Sequence, residues 1–386
     1  MSDARYARQL GLTGFGPAAQ AKLQHAAILI IGAGGLGVPA ATYLAAMGIG
    51  RIGLVDDDCV AKSNLHRQVA YTPADIGARK AQVLAGRLRA QNPHVRVDVH
   101  PVRLTLESAA DIGLRDYDLV LDASDNFATR YLVNDLCVFY ARPLVYGATQ
   151  GFEGQVSVFN LRPGRPTYRC LFPEDAANDN IPSCAVGGVL GVLPGIIGNL
   201  QALEAVKVLT GVGEPLDGRV YVFDGLSGRH MTLAVAPVDG NATIDEGQLT
   251  ARHASPVEID AEGLAQRLSG HGHAAAATIV DVREPHEVQS VHQVHNGALP
   301  AAALPAATTF LQAPLSAFDA WLTAEGARLT GEVCFVCASG QRSLRAARRF
   351  NRHTDSRRGV SVAGGQSTLA AASASAARAP EPSTPT

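Results

Sequence analysis

Two stretches of the 386-residue chain hold side chains of the right type and spacing for chemistry. The first is Gly32-Ala33-Gly34-Gly35-Leu36-Gly37, with Asp56 nineteen residues beyond the last glycine. Ser63-Asn64-Leu65-His66-Arg67-Gln68, Lys80 and Asp122-Ala123-Ser124-Asp125-Asn126 follow it. Glycines let backbone amides approach phosphate oxygens at a helix N-terminus, and an acid ending the next strand suits a ribose hydroxyl. By itself the glycine motif reads either as a nucleotide site or as a tight structural turn. A nicotinamide dinucleotide has no use for an Asn/Arg/Lys set and a second carboxylate beside that turn. A triphosphate does, since its β and γ oxygens need cations and its Mg²⁺ needs an acid. Arg67 and Lys80 taken singly read as solvated surface; taken with Asp125 they point to ATP. The second stretch is Cys337-Ala338-Ser339-Gly340-Gln341-Arg342. A cysteine opening such a loop before a helix meets backbone amides that lower its pKa and stabilise an anionic sulfur. Arg342 closes the loop and adds positive charge.

The elements that must position these groups are legible as alternating strands and helices. Ala27–Ile31 is a continuous apolar run ending at glycine, as expected of a strand buried on both faces. An Ala-rich helix over 38–47 follows, then strand 51–55, helix 80–91 ending before Pro93, and strand 95–99. Strands over 117–121, 143–146 and 154–160 continue the series. The order predicts an α/β, Rossmann-like, open and mainly parallel sheet with ligands at the strands' carboxyl ends. From Leu161 to Cys184 the pattern dissolves into a long loop of the kind that is more often functional than idle. Helix 199–209 and strand 219–223 close the domain, expected over 1–237. A linker over 238–256 leads to a smaller α/β domain over 257–370. Its expected elements are helix 261–268, strand 277–282, helix 314–322, strand 332–336 and helix 343–351. The Ala/Ser/Pro-rich tail 371–386 is expected to be mobile.

Composition narrows the class. The charge balance of 33 Lys+Arg against 35 Asp+Glu argues against bulk electrostatic binding of nucleic acid. Six cysteines are too few for a disulfide scaffold. The uncharged stretch 26–50 carries Gly32, Gly34, Gly35, Gly37 and Pro39 at its middle, which would break a spanning helix. With a polar start, these features predict a cytoplasmic protein that does not enter membranes.

The combination of Arg5-Tyr6-Ala7-Arg8-Gln9, the glycine loop, Ser63–Gln68, Asp122–Asn126 and Cys184-Ala185-Val186-Gly187 resembles the MoeB/ThiF/HesA family over about residues 3–236. These are bacterial relatives of ubiquitin-activating enzymes. The resemblance implies ATP-dependent adenylation of the C-terminal glycine of a ubiquitin-like sulfur carrier, with release of pyrophosphate. It implies ribose binding by Asp56 and phosphate binding by Asn64, Arg67 and Lys80. Asp125 would hold Mg²⁺, with Gly32, Gly34, Gly35, Gly37 and Asn126 completing the nucleotide set. Arg8 would reach the partner subunit's site in a homodimer. Cys184 occupies the position where relatives can link covalently to the carrier, or else is a small buried residue beside Gly187 and Gly188. Many relatives hold structural zinc on two Cys-x-x-Cys pairs. Here Thr167-Tyr168-Arg169-Cys170 keeps one cysteine, and none lies between Phe223 and Gly331, so no zinc is expected.

The Cys337–Arg342 loop, with Asp281-Val282-Arg283-Glu284-Pro285-His286-Glu287 upstream, resembles rhodanese-like sulfurtransferases over about residues 257–368. That resemblance implies a persulfide on Cys337, loaded by an upstream persulfide donor, while Cys334 reads as a core residue. Val291–Ala298 fits the family turn only partly. The arginines from Arg342 to Arg358 read as a solvated helix face or as a surface for an acidic partner. An acyl-adenylate and a sulfur nucleophile in one chain predict a thiocarboxylate product, with Cys184 as candidate resolving thiol, in molybdopterin, thiamine or related biosynthesis. Two other readings stay open at this point. One is an NAD-dependent oxidoreductase resting on the glycine loop and Asp56, and the other a non-catalytic protein whose second domain only docks partners.

Overall fold

The computed structural model describes residues 4–173, 188–253, 256–268, 278–288, 309–329, 331–338, 340–354 and 358–365. It divides into two compact units, Met1–Glu246 and Gly247–Thr386.

The first unit is built on eight strands: β1 (Ala27–Ile31), β2 (Arg51–Val55), β3 (Arg96–His100), β4 (Leu119–Asp122), β5 (Leu144–Gln150), β6 (Glu153–Phe159), β7 (Arg219–Asp224) and β8 (His230–Ala234). They lie in the order β3-β2-β1-β4-β5-β6-β7-β8. The first five are parallel, and β6, β7 and β8 continue as an antiparallel extension. All five residues of β1 are buried, as its unbroken apolar run requires of a strand covered on both faces. Among the described residues this unit also has helices α1 (Ala7–Leu10), α2 (Gly16–His25), α3 (Gly37–Ala46), α4 (Lys80–Gln91), α5 (Leu106–Ile112), α6 (Phe127–Phe139), α7 (Tyr168–Leu171) and α8 (Val192–Thr210). Ala41 and Leu44 of α3, Leu84 and Leu88 of α4, and Ile197 and Ala205 of α8 share one core with Ile28, Ile30, Ile52 and Leu54. Each fully buried Leu or Ile there contributes about 1.5–3 kcal/mol relative to exposure. By length and composition α8 could cross a membrane, but half of it is buried inside this unit.

The chain reverses direction across the sheet at β1. Strands β2 and β3 lie to one side and β4 and β5 to the other, so the crevice between the ends of β1 and β4 is the switch point where such sheets bind ligands. Ile31 is in register with both Val55 and Asp122, which brings three strand ends level.

The second unit has five parallel strands in the order β11-β10-β12-β13-β9. These are β9 (Glu258–Ile259), β10 (Thr278–Asp281), β11 (Thr309–Gln312), β12 (Val333–Val336) and β13 (Gly359–Val362). Among the described residues its helices include α9 (Glu246–His253), which begins at the unit boundary, α10 (Ala261–Leu268), α11 (Phe318–Ala324) and α12 (Gln341–His353). The stretch read as linker therefore carries a helix with Leu249 and Ala251 buried. The helix expected from Pro314 starts only at Phe318, because Leu315–Ala317 form a tighter 3-10 turn.

Candidate active site

The glycine turn leaves β1 at Gly32, whose φ of +101° and 2.7 Å gap from a virtual Cβ to the Ala123 carbonyl admit no side chain. Gly37 opens α3 so close to the turn that a Cβ would lie 1.9 Å from the Gly32 carbonyl oxygen. It is a packing glycine and does not line the cavity. Asp56 shapes the turn from the neighbouring strand. Its carboxylate accepts the Ala33 N–H at 2.7 Å and the Asp58 N–H at 2.8 Å. Burial pushes the Asp56 pKa up, and these two bonds and the Lys80 charge oppose the rise.

Lys80, the first residue of α4, is 5 % exposed, and its Nζ pairs with the Asp58 carboxylate at 2.8 Å. Its own N–H donates to the Asp58 carbonyl. Asp58 is an exposed partner, so the pair contributes at most about 1 kcal/mol of stability. Tyr71 ties the turn to this helix, its hydroxyl donating to Ala33 O at 2.7 Å and to Lys80 O at 3.3 Å. Asn64 accepts the Ala61 N–H, and Arg67 donates to the Ser63 carbonyl at 3.0 Å. Both sit in a short turn that aims them toward the glycines.

The opposite wall follows β4. Asp125 is exposed, and Asn126 caps α6 by accepting the Thr129 N–H at 2.9 Å. Beneath them Asp122 is buried and accepts the Ser124 N–H, while Arg130 donates to the Ser124 carbonyl. Burial pushes the Asp122 pKa up and the Arg130 charge works against it. Gly32, Gly34, Gly35, Asp56, Asn64, Arg67, Lys80, Asp125 and Asn126 thus line one cavity of about 450 Å³. Asp57, Asp58, Gln68, Arg103, Ser124, Thr129 and Arg130 join them. The spacing of the motifs did not single out Tyr71, Arg103 or Arg130, which converge only after folding. Arg8 is exposed on α1 and does not line this cavity. Cys184 falls in 174–187, outside the described residues.

The space carries donors and cations around a backbone turn, with acids on both walls: the donor set for a nucleotide polyphosphate. The ThiF family profile matches residues 6–242. The chain belongs to the ThiF family. It is 53% identical over 235 residues to a "Sulfur carrier protein adenylyltransferase" of Thermus thermophilus, covering 60% of this chain and 86% of that one. It is 44% identical over 253 residues to the "Adenylyltransferase and sulfurtransferase MOCS3" of Caenorhabditis briggsae, covering 65% and 63%. Against "MOCS3-1" of Zea mays it is 49% identical over 225 residues, covering 58% and 48%. The chain thus spans about half to two-thirds of the MOCS3 relatives it matches. Its fold is shared with E. coli MccB, solved with ATP, at a TM-score of 0.55 and 20% identity, covering 62% of this chain and 73% of that one. The ThiF unit is that of an adenylyltransferase.

In the second unit, Cys337 follows β12 and is fully buried, its sulfur accepting the Gly340 N–H at 3.1 Å. Arg342 forms two bonds with Glu287, at 2.5 and 2.7 Å. This hydrogen bonding holds the Glu287 carboxyl well below its ordinary value of 4.5, at about 2. Arg342 therefore reaches the loop already paired, a commitment the sequence pattern did not reveal. Asp281 and Arg283 form a buried pair at 2.6 Å that fixes the end of β10. Cys334 lies inside β12, and burial raises its pKa to about 12, as befits a packing residue. Ser339, Val291–Ala298 and the tail lie outside the described residues.

Proposed function

We propose that the first unit adenylates the C-terminal glycine of a ubiquitin-like sulfur carrier protein and that Cys337 then supplies sulfur to it. The observation that carries the reading is the convergence of Asn64, Arg67, Lys80 and Asp125 on one cavity with the glycine turn. ATP fits this donor set: the turn and α3 face its phosphates, and Arg67 and Lys80 offset the charge that grows on the departing pyrophosphate. Lys80 exchanges the Asp58 carboxylate for a phosphate oxygen, a swap between two anions that requires no newly buried charge. Asp125 is the proposed Mg²⁺ holder, and the ion supplies further charge neutralisation when bound. The carrier carboxylate attacks the α-phosphorus, the α–β bridging bond breaks, and carrier acyl-adenylate and pyrophosphate result. This step calls for positioning and electrostatics and for no protein nucleophile. The persulfide of Cys337 would attack the acyl carbon with loss of AMP, and a thiol would reduce the acyl disulfide to release the thiocarboxylate. In a homodimer, exposed Arg8 would serve the cavity of the partner protomer.

Carrier-dependent exchange of labelled pyrophosphate into ATP tests the reading. Asp125→Ala is expected to lose at least about a hundredfold in exchange, as removal of a charge-stabilising group does, with an unchanged circular dichroism spectrum. Full exchange by that variant would refute the assignment.

A further inference from the structure

Many members of the family that the nucleotide motifs resemble hold a structural zinc on two Cys-x-x-Cys pairs, and the residues present do not fit it. Thr167 stands three residues before Cys170, and no cysteine lies between Phe223 and Gly331. Among the described residues, the His, Cys, Asp and Glu groups of three or more that could share an ion comprise Asp56-Asp57-Asp58, and Cys170 is in none. A structural site needs four ligands.

The Cys170 sulfur is already engaged. It accepts the backbone N–H of Thr167 at 3.4 Å and lies 3.5 Å from the Thr167 hydroxyl. From 68 residues further along, the Val238 N–H donates to it at 3.3 Å, and the Asn241 amide approaches to 4.0 Å. One sulfur thus receives donors from its own turn and from a segment 68 residues further along the chain. Each segment is independently braced. In α7, Arg169 forms a buried two-bond pair with Asp135, both contacts 2.7 Å, and the Tyr168 N–H donates to Asn134 at 2.8 Å. After β8, the Val235 N–H donates to Gly218 O at 2.8 Å, and the Asn241 N–H to Val238 O at 3.2 Å. The sulfur is the bond between two pieces that are already ordered, so little conformational entropy opposes it.

We infer that Cys170 forms a metal-free joint: hydrogen bonds to its thiol sulfur fasten segment 235–241 to α7 in place of a zinc cross-link. The joint resists chelators and depends on the sulfur as acceptor.

Metal analysis and hydrogen exchange on the full chain test this. The purified protein is expected to carry far less than one zinc per chain, and EDTA to leave its melting temperature and the exchange of 235–241 unchanged. Cys170→Ala should speed exchange of the Thr167 and Val238 amides by about tenfold or more, as loss of a local closing bond does. Cys170→Ser keeps an acceptor and should speed it less. Stoichiometric zinc, chelator-sensitive exchange at 235–241, or unchanged exchange in Cys170→Ala would each overturn the inference. Should the alanine variant fail to fold, zinc content and the EDTA comparison on the unaltered chain decide the matter.

Discussion

Lys80 is a buried cation held by an exposed anion. At 5 % exposure it would be costly without a partner, and the exposed Asp58 carboxylate supplies one, which on the proposed reading gives way to a phosphate. Lys80→Ala is therefore expected to raise the ATP dissociation constant about tenfold or more, a loss of roughly 1.4 kcal/mol or greater, measured by calorimetry. Tyr71 acts one step back, joining the glycine turn to α4 through its hydroxyl. Tyr71→Phe should cost about 1 kcal/mol of unfolding free energy in urea titration, the net value of a buried hydrogen bond. Asn64, Arg67, Lys80 and Asp125 were legible because a polyphosphate demands cations and an acid near a glycine turn. Tyr71 was not: a lone tyrosine between motifs carries no signal until the chain brings its hydroxyl to Ala33. Arg130 was hidden for the same reason, sitting on a helix whose burial only the fold reveals.

At the scale of elements, close approach and register decide the site. The Gly37 contact with Gly32 O lets α3 begin directly on the turn. Gly37→Ala would force them apart, with an expected cost of about 2–3 kcal/mol for overpacking and at least a tenfold loss of nucleotide affinity; binding at native affinity would contradict this. The pairing of α12 with the loop after β10 through Arg342 and Glu287 has a pH signature. Because the folded Glu287 pKa is lowered from 4.5 to about 2, its stabilisation is present above 4.5 and lost as pH falls toward 2. Glu287→Gln should flatten the acid dependence of second-unit melting in that window. The parallel strands β1 and β2 and helix α4 follow their sequence signals, since buried apolar runs and a proline stop are strong marks. Strand β8 left none, because all five of its residues are exposed at the sheet edge and its pattern has no buried face. Helix α9 is short and sits in a stretch whose polar composition read as a connection.

For the molecule as a whole, two units with separate cores place a cavity beside a glycine turn and a buried, hydrogen-bonded cysteine in one chain. The proposed division of labour predicts that Cys337→Ser still adenylates a carrier and yields no thiocarboxylate, read by mass spectrometry of the carrier. Normal thiocarboxylate yield would remove Cys337 from the reaction. The central claim is that the cavity beside the glycine turn cleaves ATP between its α and β phosphorus atoms on behalf of a carrier carboxylate. Pyrophosphate exchange by the unaltered chain measures this most directly, with a panel of ubiquitin-like carriers and with the same carriers lacking their terminal glycine. The account predicts exchange that needs both Mg²⁺ and the terminal glycine. No exchange with any carrier, together with tight binding of NAD in place of ATP, would contradict it.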